Sequence, residues 1–112
     1  MPVYLKIFAP ILIGQIAVNM TNVYLTSAGS WSGFVSMNLR FALVIVAANF
    51  LTILGWFFAY QNNISLFLIF VITLGTAIIT QSLGAMFFVH QMPTLKQIAA
   101  MALLLLAGLL AR

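Results

Sequence analysis

The stretch GQIAVNMTNVYLT, Gly14 to Thr26, places four polar side chains inside an otherwise apolar segment. Gln15, Asn19, Asn22 and Thr26 are separated by four, three and four residues, so on a helix they share one face. At bilayer depth an uncharged amide face is tolerated only where neighbouring helices, water or a ligand meet its hydrogen-bonding groups. The stripe therefore has to face protein or a cavity, and the rest of the chain has to supply it.

Composition puts this segment in a membrane. Of 112 residues, 65% are hydrophobic and 4% charged, against about a quarter charged in soluble domains. So few charges leave too little polar surface for a water-facing exterior. The chain has no Asp or Glu, which excludes a paired acid and base, an oxygen-rich metal site and a carboxylate proton carrier. It has no Cys, hence no disulfide or thiolate ligand. The four basic residues stand near segment ends and read as interfacial anchors rather than a nucleic-acid patch. No catalytic group, metal site or cofactor is expected, and an enzyme is the least favoured reading.

The expected fold is an all-α membrane protein of four transmembrane helices in a compact bundle, over residues 3–26, 34–60, 64–89 and 93–111, with both termini on the same side. Helix one is read as a retained span, not a cleaved signal, with a kink or a late start at Pro10. The run SAGSWSG, residues 27–33, is read as the first loop, with Trp31 at the interface. Arg40 snorkels near the start of helix two, where Asn49 and Thr52 add a small polar patch. Trp56 and Tyr60 mark the interface beside the tight turn at Gln61–Asn63. On helix three, Thr73, Thr76, Thr80 and Gly84 form a face of small residues suited to close approach, with Gln81 beside it to meet the helix-one stripe. Pro93 opens helix four, in which Ala100, Ala107, Gly108 and Ala111 are the small residues for oligomer packing.

Four spans would put Lys6 and Arg112 on one side and Arg40 and Lys96 on the other. The balance gives no clear orientation by the positive-inside rule. Dual insertion with antiparallel dimers, or an orientation imposed by a partner, are the two explanations.

Several short motifs carry a family resemblance: Ala59-Tyr60 closing helix two, GTA at Gly75–Ala77, Phe87-Phe88, and QMPTLKQIAAMALLLLAG from Gln91 to Gly108. With the four-span layout, they make the chain resemble the small multidrug resistance proteins and related four-helix members of the drug/metabolite transporter superfamily. Proton-coupled members of that family rely on a helix-one Glu. Here Gly14 and Gln15 stand where it would be sought, and Gln cannot titrate, so that exchange mechanism is not implied. Helix one is more similar to four-helix flippase subunits that move sugar-modified polyprenyl lipids and pair with a similar small protein. The resemblance implies a lipid-linked substrate, a homodimer or a heterodimer with a similar chain, and a bacterial-type inner membrane.

Two functions follow. In the first, Gln15, Asn19, Asn22, Thr26, Asn49, Thr76, Thr80 and Gln81 line a pathway for an amphipathic or lipid-linked substrate, and Arg40 and Lys96 attract lipid phosphates. In the second, the chain is a non-transporting accessory subunit of a larger membrane complex, and the same residues form a docking seam. Membrane lipids are partners in both; nucleic acid is a partner in neither.

Overall fold

The computed structural model describes residues 2–110. Its elements in chain order are α1 (Val3–Thr26), α2 (Trp31–Arg40), α3 (Ala42–Gln61), α4 (Leu66–Phe88) and α5 (Leu95–Leu110), and no strand occurs among the described residues. α1, α3 and α4 are each long and apolar enough to cross a membrane. Their outer faces are as apolar as their contacts, with Leu43 83% and Phe67 78% exposed, the pattern of a protein whose solvent is lipid. These features are those of an integral membrane protein.

α1 is the central helix, packed along α3 on one flank and α4 on the other. It runs unbroken through Pro10. The carbonyl that a proline there leaves without its usual donor is that of Lys6, an exposed cation in the helix's outer turns. Contact between α1 and α3 rests on small residues: Ala48, Thr52, Gly55 and Ala59 form the buried stripe of α3, and Ile7, Ile11, Gly14 and Val18 face it from α1. A Cβ on Gly14 would lie 2.5 Å from the Ala48 carbonyl oxygen, and one on Gly55 would lie 2.6 Å from that of Ile7. The two backbones approach closely because both positions lack a side chain. On the other flank, the small-residue face of α4 receives α1, with Gly84 against Val23 and Thr80 buried.

The turn between α3 and α4 is a Schellman motif. Asn63 takes the left-handed conformation (φ 58°), which lets the Ile64 N–H reach Ala59 O at 2.9 Å and its own N–H reach Tyr60 O at 3.2 Å. Ile64 then packs against the core of Ile7, Ile11, Ala59 and Ile69. At the opposite end the ring of Tyr24 meets Phe41 edge-on at 5.8 Å and Phe88 at 5.5 Å, gathering the ends of α1, α3 and α4.

Three expectations change. The expected helix at 34–60 is two helices, broken at Phe41, where ψ of 8° leaves the helical region. The loop shortens to Ser27–Ser30, because Ser30 caps α2 by accepting from Gly33 N–H at 3.1 Å. The fourth expected span at 93–111 is described as α5, which has 16 residues and a length of about 24 Å at 1.5 Å per residue. α5 begins two residues after Pro93 because Thr94 and Gln97 form a capping box: Gln97 N–H donates to Thr94 Oγ1 at 3.2 Å and Thr94 N–H to Gln97 Oε1 at 2.9 Å. Replacing Thr94 with alanine should destabilise the first turn of α5 by about 0.5–2 kcal/mol. Hydrogen exchange should show it as faster exchange at Gln97 with unchanged protection in α1.

Candidate functional site

Four side chains from three helices form one directed chain of hydrogen bonds near mid-span. Gln81 Nε2 on α4 donates to Asn19 Oδ1 at 2.8 Å, and Asn19 Nδ2 donates to Gln15 Oε1 at 3.0 Å along α1. Gln15 Nε2 donates to Thr52 Oγ1 on α3 at 3.1 Å, and that hydroxyl donates back to Ala48 O at 3.2 Å. Each amide passes its donor to the next acceptor in the same sense, and dipoles aligned in this way polarise one another in a low-dielectric interior. Gly14 makes room for the last link. A Cβ there would stand 2.7 Å from Thr52 Oγ1, the atom that the neighbouring Gln15 has to reach.

The chain borders a cleft. Between α3 and α4, a shallow, open depression of about 340 Å³ is lined by Gln15, Trp56, Phe70, Thr73, Leu74 and Ala77. Trp56 reaches across to α4, its Nε1–H donating to Thr73 Oγ1 at 3.2 Å and its ring edge-on to Phe70. Asn49 lies seven residues before Trp56 and Gln81 four after Ala77, so both share the helix faces that border the cleft. Both are exposed, whereas Gln15 and Asn19 are buried.

The structure thus joins Gln15, Asn19 and Gln81, and adds Thr52, from the polar patch on α3, as the acceptor for Gln15. Thr80 is buried close by, its hydroxyl bonded to Thr76 O at 2.6 Å, and Thr76 is bonded in turn to Ile72 O. Asn22 and Thr26 are exposed outside the chain, with Thr26 Oγ1 donating to Asn22 O at 2.9 Å. Trp56 is half-buried between α3 and α4, while Tyr60 is exposed. Arg40 ends α2 and Lys96 lies in the first turn of α5; both are exposed. Of the packing residues expected on the last helix, Ala100 and Ala107 are exposed, whereas Gly108 is used within the chain, close against Val71 of α4. Ala111 lies outside the described residues. Among the described residues no buried side-chain nitrogen or oxygen lacks a partner, and no group of metal-ligating residues occurs.

Comparison with models of known protein families, with curated proteins and with solved structures finds no match to this chain. The fold and site define an all-helical chain with three membrane-length apolar helices around a shared amide network.

Proposed function

We propose that this chain is a small drug/metabolite-transporter-like membrane protein that moves an amphipathic or lipid-linked substrate between leaflets. The observation that carries the reading is the junction of the amide chain with the cleft between α3 and α4. Gln15 lines the cleft while Gln81 and Asn49 are exposed on the bordering faces, so neutral donors and acceptors stand near mid-span beside an apolar groove. A headgroup passing along the groove exchanges hydrogen bonds with these amides while its acyl or prenyl tail stays in lipid. In this reading α5 is the fourth crossing, with both termini on one side, and its exposed face pairs with a second copy or a similar small chain in a bacterial-type inner membrane. Transport draws on a gradient or a partner, since the chain has no carboxylate to carry protons.

The test is leaflet exchange of a fluorescent headgroup-labelled lipid in proteoliposomes, read by dithionite quenching from outside. Wild-type protein is expected to expose the inner-leaflet pool, and Gln15→Leu and Asn19→Leu to slow its loss at least tenfold. Unchanged exchange in folded variants removes the pathway assignment.

A second reading, an accessory subunit of a larger membrane complex, is supported by the amide chain's self-sufficiency: its buried groups are already paired within the chain. Native mass spectrometry from mild detergent separates the two. A dimer of small chains favours transport, and a large heteromeric assembly favours the subunit.

A further inference from the structure

α2 is not needed to cross the membrane. α3 alone has 20 residues, enough for the hydrocarbon core, whereas α2 and α3 end to end would reach about 46 Å against a core of about 30 Å. The backbone breaks between them at Phe41, and no proline is involved. The pattern of side chains changes there as well. α3 presents apolar side chains on every side, interrupted within the span only by Asn49 and Thr52, whereas α2 is two-faced. Trp31, Phe34, Val35 and Leu39 recur at spacings of three, one and four on one side, and Ser32, Ser36 and Arg40 at spacings of four on the other. Asn38 falls on the apolar side, but its Nδ2 donates to Phe34 O at 2.8 Å, which satisfies part of its polarity on the helix itself. None of the ten residues is buried; Trp31 is 77% and Leu39 74% exposed.

We propose that α2 is a membrane-surface helix, seated in one leaflet's headgroup layer with Trp31, Phe34, Val35 and Leu39 among the outer acyl chains and Ser32, Ser36 and Arg40 toward water and phosphate. The occupant of its apolar face is lipid rather than protein because of its place in the chain. α2 joins two membrane-length helices, and the Tyr24–Phe41 contact puts its C-terminal end where α1 ends, so its apolar side continues the lipid-facing surface of the bundle. A tryptophan at one end and an arginine at the other are the residue types that settle at the headgroup boundary. Arg40 also lies at the helix C-terminus, where a cation complements the helix dipole. The inference rests on the membrane reading of α1, α3 and α4 and not on transport.

The chain has no cysteine, so single spin labels can be placed without background. The variants are Ser32→Cys, Val35→Cys, Ser36→Cys and Leu39→Cys, each at an exposed position, with Phe50→Cys on the exposed side of α3 as the reference for the membrane reading itself. In phosphatidylcholine vesicles containing phosphatidylglycerol, labels at residues 35 and 39 are expected to collide with oxygen in preference to a water-soluble nickel chelate, and labels at 32 and 36 the reverse. Trp31 emission, taken as the difference between wild type and Trp31→Phe, should be quenched by lipids brominated near the headgroup more than by lipids brominated near the methyl end. Four nickel-accessible labels beside an oxygen-accessible Phe50→Cys overturn the proposal by placing α2 in water. Four labels as deep as Phe50→Cys overturn it by making α2 part of the span, and labels at 35 and 39 shielded from both reagents overturn it by covering the face with protein. A nickel-accessible Phe50→Cys removes the membrane reading instead.

Discussion

Substituting Gly55 with valine is expected to separate α1 from α3 and cost most of the stability of the fold. The first carbon of any side chain there would stand 2.6 Å from Ile7 O and still closer to Ile11 Cγ1. Real Cβ atoms do not approach backbone oxygen so closely, and the oxygen belongs to a continuous helix that cannot swing aside. One added methyl in a packed interior typically costs about 1–3 kcal/mol. Alanine also gains about 1 kcal/mol over glycine in helix propensity, which is too little to reverse the sign. Valine adds two further methyls against the same backbone, so the helices must move apart by the width of a side chain. That displacement breaks the Gln15–Thr52 bond and opens the Ile7, Ile11 and Ala59 core. Gly75 supplies the control. Its Cβ would meet only Leu105 Cδ2, at 3.3 Å, the flexible end of a side chain on α5. Gly75→Ala should therefore be neutral or stabilising by up to about 1 kcal/mol. Reversible unfolding in mixed micelles, followed by circular dichroism, should rank the three as Gly75→Ala, then Gly55→Ala, then Gly55→Val, with the last lacking a cooperative transition. If Gly55→Val unfolds like the wild type, the close approach of α1 and α3 is wrong.

Parts of this arrangement are legible in the sequence. The bounds of α1 are, because a 24-residue apolar run ends in SAGS, and both chemistry and length change there. The amide stripe is legible in part. Spacing shows that Gln15, Asn19, Asn22 and Thr26 share a face, but not how far neighbouring helices cover it, and the cover reaches only the first two. The close contact at Gly14 and Gly55 is not legible, because a lone glycine in an apolar run looks the same whether it faces lipid or a backbone. α2 was readable from two signals that its serines and glycine mask: Ser30 as an N-cap, and the helical spacing of Trp31, Phe34, Val35 and Leu39. The start of α5 was readable as well, since Thr94 and Gln97 have capping-box spacing, but the preceding proline drew the boundary to itself.

Replacing Asn19 with leucine is expected to destabilise the protein by about 2–3 kcal/mol, and adding Gln81→Leu to that variant should restore part of the loss. Asn19 is the middle link, with its oxygen accepting from Gln81 and its nitrogen donating to Gln15. Interhelical hydrogen bonds in membranes average about 0.6 kcal/mol and reach about 1.7 kcal/mol, which bounds the Gln81–Asn19 bond; the Asn19–Gln15 bond within α1 adds about 0.5–1.5 kcal/mol, so the two lost bonds amount to about 1–3 kcal/mol. The groups left behind decide where in that range the cost falls. Gln15 Oε1 loses its donor in a buried site, and an orphaned buried group costs about 1–3 kcal/mol. Gln81 is exposed on α4, so without Asn19 its amide faces hydrocarbon with no acceptor. Leucine at residue 81 removes that penalty and adds apolar surface to a lipid-facing position. The double variant should therefore be more stable than Asn19→Leu alone, whereas in a cavity filled with water the second substitution would cost further stability. Gln81→Leu by itself removes one bond, strands Asn19 Oδ1 inside the bundle and should cost about 1 kcal/mol. The cycle of four unfolding free energies then gives a coupling of about 1–2 kcal/mol between residues 62 positions apart in sequence. A coupling near zero means that the two amides do not bond in the folded protein. A coupling of this size, combined with lipid exchange lost in Asn19→Leu and retained in the double variant, assigns the chain to holding α1 against α4 rather than to contact with a substrate.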